Sequence, residues 1–473
     1  MIVLLIVLPL IASLILFTGK LGKHSRNFAL VVSGINLIIS IVAGYEFAFA
    51  EDKILSMDLD LRYLLDTQII LKIDAISMVL VMLTTVLIPI IAASTSRKEN
   101  RSHNYYGLIL FMEMALIGVF SASEMILFYI FWELALIPVF LITAIWGGEN
   151  KKKITVKFLI YTLFGSFAML IAILYLYTLT PSPHSFSFES FYQLKLPYSV
   201  QVPVFLAFFL AFAIKIPLFP FHSWQAETYN VSPIQGTMLM AGIMLKMGLY
   251  GIVRILVPIT PDVIANGSLI FLPLIVIGVI YGAVIAIKQP NLKKLIAFAS
   301  LSHVGIIALG LMSDNRYGIE GGIFQMFTHG INVVGLFLCY YMIIKRTKTD
   351  LISDLGGIAS VAPRFAIVFL IILLANISLP LTNSFVGEFL ILFGVFQFNK
   401  TLAVITGLSI ILGAVYMLRM YQKIMYGSRT AVTEEFEDLS VSELSLFIPL
   451  IVLIFWTGIA PSFMLQMLEG VVK

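Results

Sequence analysis

Four ionisable residues sit where a long apolar sequence should not tolerate charge. Glu133 lies in Phe128-Tyr129-Ile130-Phe131-Trp132-Glu133-Leu134-Ala135-Leu136-Ile137-Pro138, and Lys215 in Ile214-Lys215-Ile216-Pro217. Lys246 lies in Gly242-Ile243-Met244-Leu245-Lys246-Met247-Gly248, and Glu388 in Val386-Gly387-Glu388-Phe389. A charge at the centre of a bilayer costs roughly 2.5–3.5 kcal/mol even on the lenient insertion scale, so each needs a partner, a hydrated cavity or a function. Amines and carboxylates in such places exchange protons. His303 and His329, each on its own apolar segment, could extend a relay or be hydrogen-bonded core residues, with Ser300 at i−3 and Gln325 at i−4 as local partners. Glu113 has the same two readings.

For Glu133 and Lys215 one reading is a fixed structural ion pair; the other is a switch. Burial disfavours an ammonium group and a nearby carboxylate restores it, so moving Glu133 toward and away from Lys215 would load and release a proton. A thousandfold swing in proton affinity supplies about 4 kcal/mol. Moving one charge through about 150 mV requires about 3.5 kcal/mol. The two magnitudes match.

The elements that must hold these groups follow from hydropathy. Of 473 residues, 60% are hydrophobic and only 12% charged, against about 25% charged in soluble domains. That composition excludes a soluble enzyme. Spans of about 20 apolar residues begin near Met1, Asn27, Asp74, Tyr105, Met125, Lys157, Val202, Pro233, Ser268, Asn291, Tyr317, Arg364, Thr401 and Glu443. The expected fold is an all-α integral membrane protein of about fourteen helices. The first, without a basic leader or a small-residue cleavage site, reads as a retained helix.

Basic residues concentrate in the loops after odd-numbered helices, including Lys20, Lys23, Arg26, Arg97, Lys98, Arg101, Lys151, Lys152, Lys153, Lys345 and Arg346; the opposite side holds few, among them Lys53, Arg62, Lys72, Arg254 and Lys473. The bias places the odd loops in the cytoplasm and both termini outside. Two helices carry proline-interrupted strings, Ile214-Lys215-Ile216-Pro217-Leu218-Phe219-Pro220 in the seventh and Ile377-Ser378-Leu379-Pro380-Leu381 in the twelfth. Proline removes a backbone donor, so both should kink or unwind. The breaks lie five helices apart, an odd number, so two five-helix units would be inverted relative to each other, as in transporters. The expected organisation is a three-helix segment at 1–104, repeats at 105–257 and 268–424, each a proton half-channel, and a C-terminal helix at 443–473.

Other chemistry is thinly represented. One cysteine, Cys339, cannot supply an iron–sulfur cluster or a structural zinc site. There is no phosphate loop or dinucleotide fingerprint, and no reason to expect nucleic acid or metal. A haem held by His303 and His329 is a rival that leaves the buried lysines unexplained.

The strings FYIFWELALIP, AIKIPLFPFHSWQAE, GIMLKMGLYGIVRI, QPNLKKLIAFASLSHVG, FQMFTHG and LPLTNSFVGEF together resemble the antiporter-like membrane subunits of proton-pumping NADH:quinone oxidoreductase, respiratory complex I, over nearly the whole chain. Glu388 rather than lysine in the twelfth helix, and the short tail after the last span, point to the M-type branch. The resemblance implies that Glu133 and Lys215 form a coupling pair of one half-channel, that Lys246 connects the two halves, and that His303 and His329 continue the polar axis. It implies a subunit that moves protons outward across a bacterial inner membrane, beside neighbouring antiporter-like subunits, while NADH, FMN, iron–sulfur clusters and quinone belong to partner subunits. A subunit of a multisubunit sodium/proton antiporter of the Mrp type is the alternative.

Overall fold

The computed structural model describes residues 1–49, 53–60, 68–95 and 102–470. Arg62, Arg97, Lys98, Arg101 and Lys473, used above for the charge bias, lie outside the described residues.

Helices dominate: α1 (Ile2–Phe17), α2 (Ser25–Phe49), α3 (Ala75–Ala93), α4 (His103–Ser121), α5 (Met125–Trp146), α6 (Lys151–Leu179) and α7 (Tyr198–Lys215). There follow α8 (Ile234–Ile259), α9 (Pro261–Lys288), α10 (Leu292–Leu311), α11 (Arg316–Thr347), α12 (Pro363–Asn376), α13 (Asn383–Phe398), α14 (Lys400–Met425) and α15 (Val441–Ile459). Among the described residues, 12 helices are long and apolar enough to cross a membrane; α1, α12 and α13 are apolar but shorter. Between α2 and α3 lies an antiparallel hairpin, β1 (Leu55–Asp60) and β2 (Gln68–Ile73), pairing Leu55 with Ile73 and Asp60 with Gln68. Its period-two alternation, apolar Leu55, Met57 and Leu59 against polar Ser56, Asp58 and Asp60, is too short for a helix-length window to register.

The helices sort into an inner and an outer set. The most apolar stretch of α11 is 94% buried and those of α8 and α10 are 89% buried, against 22% for α15. Charge on the inner helices is therefore shielded from lipid by the outer ones, as intramembrane ionisable groups require. Local signals fix the inner ends: the Asn291 side chain accepts from Lys294 N–H at 3.0 Å to start α10, and Asn315 accepts from Gly318 N–H at 2.9 Å to start α11, each covering an otherwise orphaned donor.

Both expected breaks are present. α7 stops at Lys215 and helix resumes only at Gln225–Val231. Leu218 N–H reaches back five residues to Ala213 O at 2.8 Å, and the Trp224 indole donates to Ile214 O at 2.9 Å, satisfying a carbonyl the proline-broken ladder cannot. The second break separates α12 from α13, with Leu379 N–H on Leu374 O at 3.1 Å and Ser378 and Leu381 at positive φ. Asn332 on α11 clamps its far side, exchanging amide hydrogen bonds with Asn383 at 3.0 and 3.1 Å.

Candidate functional site

The ionisable residues fall into three groups. The first surrounds Lys215, the last residue of α7, which is 2% exposed. Its ammonium lies 5.0 Å from the centroid of the Trp132 ring, and Trp132 is fixed by its indole N–H on Ser166 Oγ at 3.1 Å. Glu133 is next in sequence, and no ion pair within 4.0 Å joins it to Lys215. In this geometry the two groups stand apart and do not close into an ion pair. α5 is interrupted at Ala135, between Met125–Leu134 and Leu136–Trp146, because Pro138 has no N–H for Leu134 O. Glu133 rides on that discontinuity and lines a cleft of about 560 Å³ with Tyr129, Ile130, Ile137, Leu159 and Leu163. Its Oε1 is buried without a hydrogen-bond partner among the described residues.

The second group is a connected polar run. Two π-helical turns, Met240–Met244 and Ile252–Leu256, flank Lys246 on α8. Its ammonium donates to Ala241 O inside the first turn at 2.7 Å and meets His329 Nδ1 on α11 at 2.9 Å. His329 Nε2 lies 3.2 Å from Ser300 Oγ on α10. The His303 ring is 6.2 Å away, centroid to centroid, and its Nδ1 meets Glu388 Oε1 on α13 at 2.8 Å. Gln325 donates to the same carboxylate oxygen at 3.3 Å, while its own oxygen accepts from Thr328 at 2.8 Å. The local pairing expected for the histidines is corrected here: Ser300 serves His329, not His303, and Gln325 serves Glu388, not His329. In an α-helix i−3 and i−4 neighbours share a face, but these side chains turn to partners on other helices.

Glycine makes the second group attainable. A Cβ on Gly242 would stand 2.6 Å from Val334 Cγ2, and one on Gly330 only 2.8 Å from Gly242 O. α8 and α11 therefore cross backbone to backbone beside His329, which brings Lys246 within reach. Chemically, a proton shared between an amine and an imidazole at 2.9 Å can reside on either, and imidazole passes protons through its second nitrogen. His303 Nε2 is buried and unpartnered among the described residues.

Glu113 forms the third group, apart from the others. It faces α2 and α1, accepting from Asn36 Nδ2 at 2.8 Å, and that amide also reaches Leu5 O at 3.3 Å. The half-buried His222 stacks on Phe219 and meets Tyr281 edge-on. Sequence reasoning missed Trp132, Ser166 and Asn332, and gave Gln325 to the wrong partner; the adjacency of Trp132 to Glu133 was the signal for Trp132. Among the described residues no cluster of three or more His, Cys, Asp or Glu side chains could hold a metal. His329 has both ring nitrogens engaged in hydrogen bonds.

Residues 122–413 match a family described as NADH:quinone oxidoreductase/Mrp antiporter, TM. "NADH-quinone oxidoreductase subunit M" of Rhodobacter capsulatus is 34% identical over 96% of this chain and 92% of its own length. "NADH-ubiquinone oxidoreductase chain 4" of Chondrus crispus is 36% identical over 95% of this chain and 92% of its own. Among solved structures, respiratory complex I from Thermus thermophilus contains a chain with TM-score 0.91 and 29% identity, aligned over 100% of this chain and 99% of that one. The Mrp complex from Dietzia contains one with TM-score 0.86 and 17% identity, over 98% and 95%; at that identity the likeness is one of fold. On the family match and these relatives, the chain belongs to the transmembrane family shared by NADH:quinone oxidoreductase and the Mrp antiporters.

Proposed function

We propose that this chain is a proton-translocating membrane subunit of an NADH:quinone oxidoreductase. The relatives named as subunit M and chain 4 support the assignment. The observation that carries the mechanism is the run Lys246–His329–Ser300 followed by His303–Glu388, assembled from the buried α8, α10 and α11 and the inner face of α13. In this reading Glu133 and Lys215 load a proton, Lys246 receives it, His329 and His303 relay it, and Glu388 releases it. Glu113 stands outside the route. The chain does no redox chemistry itself; NADH, flavin, iron–sulfur clusters and quinone are assigned to partner subunits.

The two breaks support a division into repeats at 105–257 and 268–424, with 1–104 before and 443–473 after them. Taking α1 as one crossing and α12 with α13 as one gives fourteen, and the basic loops orient both termini outward in a bacterial inner membrane. Isolation of the chain from membranes tests the reading. It should arrive in a flavin-containing complex that oxidises NADH and acidifies the far side of a vesicle. A sodium/proton antiporter subunit would instead leave NADH oxidation intact when deleted and make cells sensitive to sodium and alkali.

A further inference from the structure

A pump lysine must not exchange protons with both faces of the membrane at once. Lys246 shares α8 with Tyr250 and Arg254, at four-residue intervals. Arg254 Nη2 is paired with Asp74 Oδ2, and its Nε donates to Tyr250 Oη at 3.3 Å. The other Asp74 oxygen caps α3, accepting from Ser77 N–H at 3.1 Å. Tyr192 Oη donates to Arg254 O at 2.6 Å. Burial pushes the Asp74 carboxyl up, but the Arg254 guanidinium and the Ser77 amide outweigh it and hold it below the usual carboxylate range, so the pair is charged at neutral pH. Beyond the pair lies a cavity of about 30 Å³ lined by Lys72, Asp74, Glu189, Tyr192, Tyr250 and Arg254, room for about two waters. On the Lys246 side the Tyr250 ring, 1% exposed, packs against Phe120 at 5.5 Å and Phe128 at 6.2 Å.

We propose that Arg254, positioned by Asp74 and Tyr250, seals Lys246 from the water on the Asp74 side of the membrane, the outer side in the reading above, on which this inference rests. Arginine suits the task because it does not give up its proton and a fixed guanidinium repels an incoming one. The Tyr250 ring closes the remaining gap. Arg254 is two turns from Lys246, about 12 Å along the helix. A unit charge at that separation, in an effective dielectric of about 20, changes local proton occupancy about tenfold.

The test is passive proton leak, without NADH, through the purified complex in liposomes under an imposed pH gradient. R254Q removes the cation and leaves the Asp74 carboxylate to draw protons in, so leak should rise about tenfold; in R254Q/K246M it should return to the wild-type level. D74N breaks the same pair but keeps the cation and removes the neighbouring negative charge, so leak should not rise above wild type. Equal leak in R254Q and D74N, as a mere structural brace requires, overturns the proposal, and so does an R254Q complex as tight as wild type. Should R254Q fail to assemble, Y250A keeps the ion pair and removes the ring; raised leak is expected and wild-type leak overturns the seal. NADH-driven pumping by the wild-type complex in the same liposomes is scored separately: its absence would count against the function proposed above, not against the leak comparison.

Discussion

Replacement of His329 separates two roles that its position allows. With leucine there, Lys246 keeps only Ala241 O as an acceptor and loses a charge-assisted hydrogen bond at 2.9 Å. Such bonds are worth about 1.5–3 kcal/mol, so the proton affinity of Lys246 should fall about tenfold to about a hundredfold. Glutamine restores an acceptor for the ammonium but has no second nitrogen that can take up a proton and pass another on. If His329 only holds the lysine, H329Q should pump like wild type. If it relays, H329Q should be slowed about a hundredfold, the usual range for loss of a proton-transferring group. The account predicts strong impairment of both variants. The assay is NADH-driven quenching of a pH-sensitive dye in inverted vesicles, normalised to bound flavin so that only assembled complex is counted. Wild-type pumping by H329Q would refute the relay; wild-type pumping by H329L would refute any role for the contact.

Four more outcomes follow from the geometry. In G330A the added methyl meets Gly242 O at 2.8 Å and Leu83 at 2.9 Å, so α8 and α11 must part; overpacking of this kind costs about 1–3 kcal/mol, and both the thermal stability of the complex and its pumping should drop. E388Q preserves an acceptor for His303 but cannot ionise, whereas E388D can; pumping per flavin should therefore suffer more in E388Q, and equal rates would argue against a titrating glutamate. K215A and E133A should each nearly abolish NADH-linked proton translocation in vesicles, and unchanged translocation in assembled complex would remove the pair from the mechanism. E113Q, whose site makes one hydrogen bond to Asn36 apart from the polar run, should retain far more pumping than E388Q in the same assay.

The parts of the fold legible in the sequence were those governed by local physics. Apolar length gave the helices, and Pro217, Pro220 and Pro380 marked the breaks because proline acts on its own backbone. Individual site residues were legible for the same reason, since a charge among apolar neighbours is anomalous wherever it lies. Their connections were not. Lys246 meets His329 across 83 residues and His303 meets Glu388 across 85, and no spacing rule spans such distances. Gly242 gave no sign of what packs beside it; Val334 and Gly330 do. The π-helical turns around Lys246 were equally silent, as they depend on how α8 is gripped by its neighbours. The β hairpin lay below the length that a search for membrane helices detects.

The most direct measurement of the central claim is proton translocation per flavin by the purified complex carrying K246M, in sealed liposomes driven by NADH and quinone. Methionine fills much of the same apolar volume but cannot hold a proton, so His329, Ser300, His303 and Glu388 keep their surroundings while the link between the two halves is cut. The account predicts that translocation falls at least tenfold in fully assembled complex. Translocation at the wild-type rate would contradict it.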